Sequence, residues 1–302
     1  MTKEFYSNGK LLLSGEYAIL DGAKGWAMPT KFGQYMTVDT AKTKTLSWRS
    51  IDADGTVWFT GSYSLEDFKE VSSSNEEVSK NLIKILTEVR RLNPSFLVQS
   101  QGCEVQTTLT FPRAWGLGTS STLITNLSSW ATIDPYALLS KTFGGSAYDI
   151  ACAQHNTPIV FQIKDNKPLV TTVHTKPLFA NSLFFIYLNQ KKNSREAIAA
   201  YRNLKINKEQ LTQEISTLTR KMIASQNLAV FEDLIHTHEQ KLSKILQIAP
   251  VKELLFSDYH GSIKSLGAWG GDFIMATGNE KTPEYFKSKG YSVVLPFSDM
   301  IL

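Results

Sequence analysis

Residues 112–122, read as Pro-Arg-Ala-Trp-Gly-Leu-Gly-Thr-Ser-Ser-Thr, combine the residue types that hold a phosphate. They follow an alternating, strand-like run at 105–111 and lead into an apolar-periodic stretch. Gly116 and Gly118 admit backbone conformations closed to residues with a Cβ, so amide N–H groups can converge on one point. Thr119, Ser120 and Ser121 add hydroxyls where a helix begins, and the positive end of that helix favours an anion. Strand, glycine turn, hydroxyls and helix start together describe a phosphate cradle.

Three further segments carry chemistry-bearing residues near glycine. Residues 9–20 hold Lys10, Glu16 and Tyr17; residues 144–152 hold Ser146 and Asp149; residues 264–272 hold Gly267, Ala268, Gly270 and Gly271. Phosphoryl transfer needs an acceptor oxygen in line with the transferred group, with positive charge and N–H donors around its oxygens. The 116–121 turn supplies donors, and the Ser120 hydroxyl can reach Mg²⁺ or a phosphate oxygen. Asp149, just past a glycine turn, is the candidate to orient or deprotonate the acceptor. Lys10 would lower the acceptor's pKa and stabilise developing charge. Neither a Walker A sequence nor a strand–GxGxxG–helix fingerprint occurs, which disfavours two commoner nucleotide sites.

Lys191, Lys192, Ser194 and Arg195 form a basic stretch suited to an anionic substrate, although surface charge explains it equally well. Arg113 is another candidate phosphate contact. His236 and His238 are two apart and splay around a helix, so they do not chelate together, and Glu232 with His236 reads as a surface pair. Most tryptophans read as core or loop anchors.

The elements that must position these residues are legible in pattern. The turn signal at residues 14–16 suggests a strand pair, 10–13 with 18–20. Runs at 45–50 and 57–62 read as strands. Val78, Leu82, Ile85, Leu86, Val89 and Leu92 lie on one helical face, with Ser74 or Asn75 as cap and Pro94 closing it. A helix over 121–131 follows the serine cluster. Asp134-Pro135 caps another over 136–141, which Gly144-Gly145 ends. A buried strand at 183–188, long helices at 208–226 and 228–248, and a closing strand, helix and strand (272–275, 283–289, 292–295) complete the reading. The turn residues at 165–168 mark a domain boundary near Asp165, dividing the chain into 1–165 and 166–302. Strands interleaved with helices and hairpins give an α+β class.

The chain has 302 residues, 42 % of them hydrophobic and 20 % charged, and a formal net charge of +4. These values suit a globular protein with a mild bias towards anionic ligands and lack the basic stripe of a nucleic-acid binder. Cys103 and Cys152 sit in apolar surroundings and read as reduced, buried thiols without zinc-ligand spacing. Without a signal-like start or a run of about 20 apolar residues, the expectation is a cytoplasmic protein that engages no membrane, as a monomer or homodimer.

The order and wording of the glycine segments resemble the GHMP kinases, the superfamily that includes galactokinase, homoserine kinase, mevalonate kinase and phosphomevalonate kinase. The resemblance runs from Gly9 to Asp272, and Pro-x-x-x-Gly-Leu-Gly-[Ser/Thr]-Ser is its specific part. It implies a two-domain fold, the N-terminal domain like ribosomal protein S5 domain 2 and the C-terminal one a ferredoxin-like sandwich. It implies ATP with Mg²⁺, the metal on Ser120. Nucleotide contacts would come from Pro112, Trp115, Gly116, Leu117, Gly118, Thr119, Ser120, Ser121, Gly267, Ala268, Gly270 and Gly271. Lys10 and Asp149 would be catalytic. Glu16, Tyr17, Ser146, Lys191, Lys192, Ser194 and Arg195 would face a small anionic substrate. Tyr17, Ser146-x-x-Asp149 and Gly270-Gly271-Asp272 resemble the phosphomevalonate branch most, with mevalonate as the second acceptor. Diphosphomevalonate decarboxylase and a non-catalytic nucleotide- or metabolite-binding homologue are the alternatives. The sequence departs from the pattern where relatives carry a Mg²⁺-binding glutamate: residues 134–140 contain none, leaving Ser120, or Asp134, as protein ligand. Ala147 and Trp269 stand where glycine is usual, and Trp269 there would narrow or stack on the nucleotide pocket.

Overall fold

The computed structural model describes residues 2–190 and 194–302. The chain forms two compact units. One comprises the residues up to Gly9, Phe32–Arg113 and Leu117–Gln154; the other comprises Lys10–Lys31, Ala114–Gly116 and His155–Leu302. Two long strands, β1 (Lys3–Ser14) and β2 (Gly25–Thr40), pair with each other and contribute residues to both units. A single cut near Asp165 does not follow this division. Asp165 and Asn166 are instead the two left-handed residues (φ 51 and 59) of a tight hairpin, whose turn chemistry matches that of a linker. The expected strand at 18–20 is a single 3₁₀ turn, Ala18–Asp21. The Ile19 and Leu20 amides donate back to the Gly15 and Tyr17 carbonyls, at 2.9 Å each, and not across a ladder, and the partner of β1 begins only at Gly25.

In the first unit the chain continues through β3 (Thr45–Ile51), β4 (Val57–Ser64), β5 (Glu70–Ser73), α1 (Glu76–Leu92), β6 (Cys103–Leu109), α2 (Thr119–Ala131), α3 (Pro135–Thr142) and α4 (Tyr148–Gln154). The sheet order is β5-β4-β3-β6-β2, antiparallel except for the parallel pair β3–β6. Alternation along β3 and β6 turns Leu46, Trp48, Cys103 and Val105 to one core. Helix α1 presents Leu82, Ile85, Leu86 and Val89 to the same core, each such burial being worth about 1.5–3 kcal/mol. Its start is fixed by Asn75, which accepts from the Val78 amide at 3.0 Å; Asp134 does the same for α3. Both cysteines are buried as thiols outside any disulfide, and burial pushes the Cys103 thiol up to about 12.

Helix α2 is unusual in burying polar side chains. Thr122 donates to Gln34 Oε1 at 2.9 Å, Asn126 donates to the Gln34 carbonyl at 3.0 Å, and Ser7 donates to Asn126 Oδ1 at 2.7 Å. These bonds satisfy groups that would otherwise be costly to bury and fix the helix in one register against β2.

The second unit continues through β7 (Ile159–Lys164), β8 (Lys167–Thr172), β9 (Leu183–Tyr187), α5 (Ser194–Arg202), α6 (Lys208–Ala224), α7 (Leu228–Leu246), α8 (Val251–Leu255), β10 (Ile263–Ser265), β11 (Phe273–Thr277), α9 (Thr282–Ser288), β12 (Val294–Pro296) and α10 (Phe297–Met300). The first residues of β2 pair with β7, which pairs with β8. A smaller antiparallel sheet has the order β10-β11-β9-β12. Its apolar face meets Val251, Phe256 and Phe286 from α8 and α9 and the segment between α8 and β10. Asn207 and Asn227 cap the long helices α6 and α7 through their side chains. Among the described residues no helix is long and apolar enough to cross a membrane.

Candidate functional site

The 116–122 segment takes the shape its glycines permit. Gly116 and Gly118 have φ 67 and 97, and Gly118 is the residue that precedes α2. No side chain caps this helix start, unlike those of α1 and α3. The first-turn amides of α2 have no acceptor within the helix, so they and the positive end of a 13-residue helix are suited to an anion. Leu117 is fully buried and anchors the turn, while Ser120 is exposed beside it. Ser121 turns inward and donates to the Gly118 carbonyl at 2.8 Å. Pro112 is exposed.

Two neighbours of the turn have other occupations. Arg113 donates to Asp52 at 2.7 Å and lies 4.4 Å over the Trp58 ring, so its charge is held by protein rather than poised for phosphate. Trp115 meets Phe273 edge-on, with ring centroids 5.6 Å apart, as an apolar anchor in the second unit. Gly116 is also close-packed there, since a Cβ on it would run into the carboxylate of Asp272.

Asp149 is the second residue of α4, half-buried, in the same unit as the 117–121 turn; Ser146 precedes it and is buried. Between them Ala147 takes φ 68, a left-handed conformation that costs an alanine about 1 kcal/mol and a glycine almost nothing. Lys10 is half-buried within β1 and belongs to the second unit.

The segment at 267–271 lies in the second unit with three left-handed residues, Gly267 (φ 59), Trp269 (φ 54) and Gly270 (φ 78). Trp269 is fully buried with Tyr17, Tyr201 and Leu211, so it is a core side chain and not a surface on which a nucleotide base stacks. Gln190 donates to the Gly270 carbonyl at 2.9 Å, and the Tyr17 hydroxyl donates to the Ala268 carbonyl at 2.9 Å.

Glu16 is placed differently from the expectation that it faces substrate. Its carboxylate is fully buried and bonded to the ammonium of Lys264, itself fully buried on β10. His238 and Glu239 of α7 join them, with His238 Nε2 3.3 Å from Glu16 Oε2 and Lys264 Nζ 3.1 Å from Glu239 Oε1. Burial pushes the Glu16 carboxyl up against the pull of Lys264. It drives the His238 imidazole well below the usual histidine value, helped by the Lys264 charge. Burial also opposes the Lys264 ammonium, but Glu16 and Glu239 outweigh it and hold its pKa above the usual lysine value. No spacing in the sequence links these residues. The only hint is that Glu239 and His238 fall on the inward stripe of α7 with Phe231, Ile235 and Leu242.

Lys191 and Lys192 lie outside the described residues, and Ser194 and Arg195 open α5. Among the described residues no three His, Cys, Asp or Glu side chains group as metal ligands. Asp134 accepts from the Tyr136 amide at 2.9 Å, so its carboxylate serves as a helix cap.

No protein-family model matches the chain, and no curated protein does. Solved structures do match. Mevalonate kinase of Methanococcus jannaschii superposes with TM-score 0.71 over 97 % of this chain and 96 % of its own, at 16 % identity. Streptococcus pneumoniae phosphomevalonate kinase in complex with phosphomevalonate and AMPPNP gives 0.69 over 95 % of each chain, at 13 % identity. The chain has the GHMP-kinase fold. Lactococcus lactis galactokinase complexed with galactose shares this GHMP-kinase fold at TM-score 0.68, covering 95 % of this chain and 88 % of its own at 13 % identity. One fold thus accompanies different bound molecules, and likeness of fold alone assigns no ligand.

Proposed function

We propose that this chain is an ATP-dependent phosphotransferase acting on a small anionic alcohol, phosphomevalonate first and mevalonate second. The observation that carries the reading is the start of α2, where a left-handed glycine replaces any capping side chain and the exposed Ser120 sits in the first turn. Charge-assisted N–H bonds to phosphate are worth about 1.5–3 kcal/mol each, so a turn of this kind supplies substantial affinity. In this reading the α2 amides and Ser120 hold the nucleotide's phosphates. The Ser120 hydroxyl would hold the Mg²⁺ that accompanies the nucleotide, and the ion would supply neutralising charge to the phosphate oxygens. Asp149 orients the acceptor hydroxyl and takes its proton, and the Lys10 ammonium stabilises charge as the phosphoryl group moves. Catalysis is then mostly positioning and electrostatics, as phosphoryl transfer requires. The wording around Tyr17, Ser146 and Asp149 supports the phosphorylated acceptor over mevalonate.

A panel of hydroxyl acceptors with ATP and Mg²⁺, followed by ADP release, tests this. ADP release with phosphomevalonate in excess of mevalonate, galactose and water is the expected result. Carbon dioxide released from diphosphomevalonate would assign the decarboxylase reaction instead. ATP binding with no turnover of any acceptor would leave only a binding protein.

A further inference from the structure

The buried ion cluster of the second unit has no direct part in that chemistry. Lys264 donates to Glu16 Oε1 and to the Ser265 carbonyl (2.7 Å), Ser265 donates to Glu239 Oε2 (2.6 Å), and His238 faces the second oxygen of Glu16. Burying so many ionisable groups seldom returns what desolvation costs, and apolar side chains of equal volume commonly hold a fold as well. What the cluster does provide is direction, because each bond fixes one element against another.

Two of the elements that meet there lead straight into the glycine turn at residues 267–271. Strand β10, which carries Lys264 and Ser265, ends two residues before Gly267. Glu16 is followed by Tyr17, whose hydroxyl reaches into the turn and bonds to Ala268. The third element, α7, holds both from behind through His238 and Glu239. The turn itself keeps three residues in left-handed backbone; Gly267 and Gly270 adopt it freely, but Trp269 is strained there, a state that persists only where the surroundings over-determine it.

We propose that Glu16 and Lys264 are positioning residues: their ion pair, completed by Glu239 and transmitted by Tyr17, fixes residues 267–271 in the shape that receives the nucleotide. The nucleotide half of this inference rests on the proposed phosphotransferase reading; the positioning half stands without it.

Three full-length variants test it. Tyr17→Phe removes only the strut, Glu16→Gln removes one charge isosterically, and Glu16→Gln with Lys264→Met removes the pair without stranding an ammonium. Hydrogen–deuterium exchange over residues 266–272 is expected to quicken at least tenfold in each variant, while α1 in the other unit exchanges at the wild-type rate. The AMPPNP dissociation constant is expected to rise at least tenfold, with the KM for ATP rising more than the KM for the acceptor. Wild-type exchange in the turn for both Tyr17→Phe and Glu16→Gln would overturn the proposal. So would a fall in melting temperature with quickened exchange spread evenly over both units. If the wild-type chain bound no AMPPNP while the turn still loosened in the variants, the phosphotransferase reading would fall and the positioning would stand.

Discussion

A Cβ built on Gly116 would lie 2.2 Å from Oδ2 of Asp272 and 2.4 Å from its Cγ. The carboxylate fills the space that a side chain at 116 would need, and the backbone there is left-handed as well. Two independent constraints therefore demand glycine. Gly116→Ala is expected to cost about 1–3 kcal/mol of stability from strain and displacement of Asp272. It should also weaken ATP binding, because the turn cannot keep its path. Urea unfolding and nucleotide titration check both, and a variant with wild-type values in each would show that the turn adapts freely.

Thr122 donates to the side-chain oxygen of Gln34 from the first turn of α2. Thr122→Val keeps the shape but strands a buried acceptor, an expected loss of about 1–3 kcal/mol. Thr122→Ser keeps the hydroxyl and loses one methyl, about 1 kcal/mol. Unfolding midpoints of the two variants decide the matter. A larger loss for Ser than for Val would mean that packing, not the bond, holds the helix start.

Asp149 is half-buried in the first turn of α4. Asp149→Asn is expected to lower kcat by about 10²–10⁴ while leaving ATP affinity and melting temperature near wild type. Near-normal turnover in this variant would remove Asp149 from the role of base.

His238 gives the fold a pH dependence of defined sign. Its imidazole is fully buried and its pKa is depressed well below the usual histidine value of about 6.5, by burial first and by Lys264 second. The unfolded chain protonates this residue as pH falls through that value, and the folded chain does not. Its contribution is therefore full above about pH 6.5 and is lost on acidification, by at most about 1.4 kcal/mol per pH unit. Urea unfolding at pH 7.5, 6.5 and 5.5 should show a shallower decline for His238→Gln than for wild type. Equal slopes would assign the acid sensitivity to other groups.

Helices and their ends were legible in the sequence because capping and periodicity are local. Asp134-Pro135 and the Leu82-Ile85-Leu86-Val89 stripe act within a few residues of themselves and are realised as read, and of the two cap candidates, Ser74 and Asn75, the structure uses Asn75. The glycine turn before α2 was legible for the same reason, since glycine conformation and helix polarity belong to one short segment. Tertiary structure alone decided that Glu16 pairs with Lys264, 248 residues away, and not with a ligand. It alone turned Trp269 into the core and engaged Arg113 with Asp52. Those outcomes depend on which distant charges and cavities the folded chain brings together, and electrostatic pairing and burial leave no period or spacing along the chain.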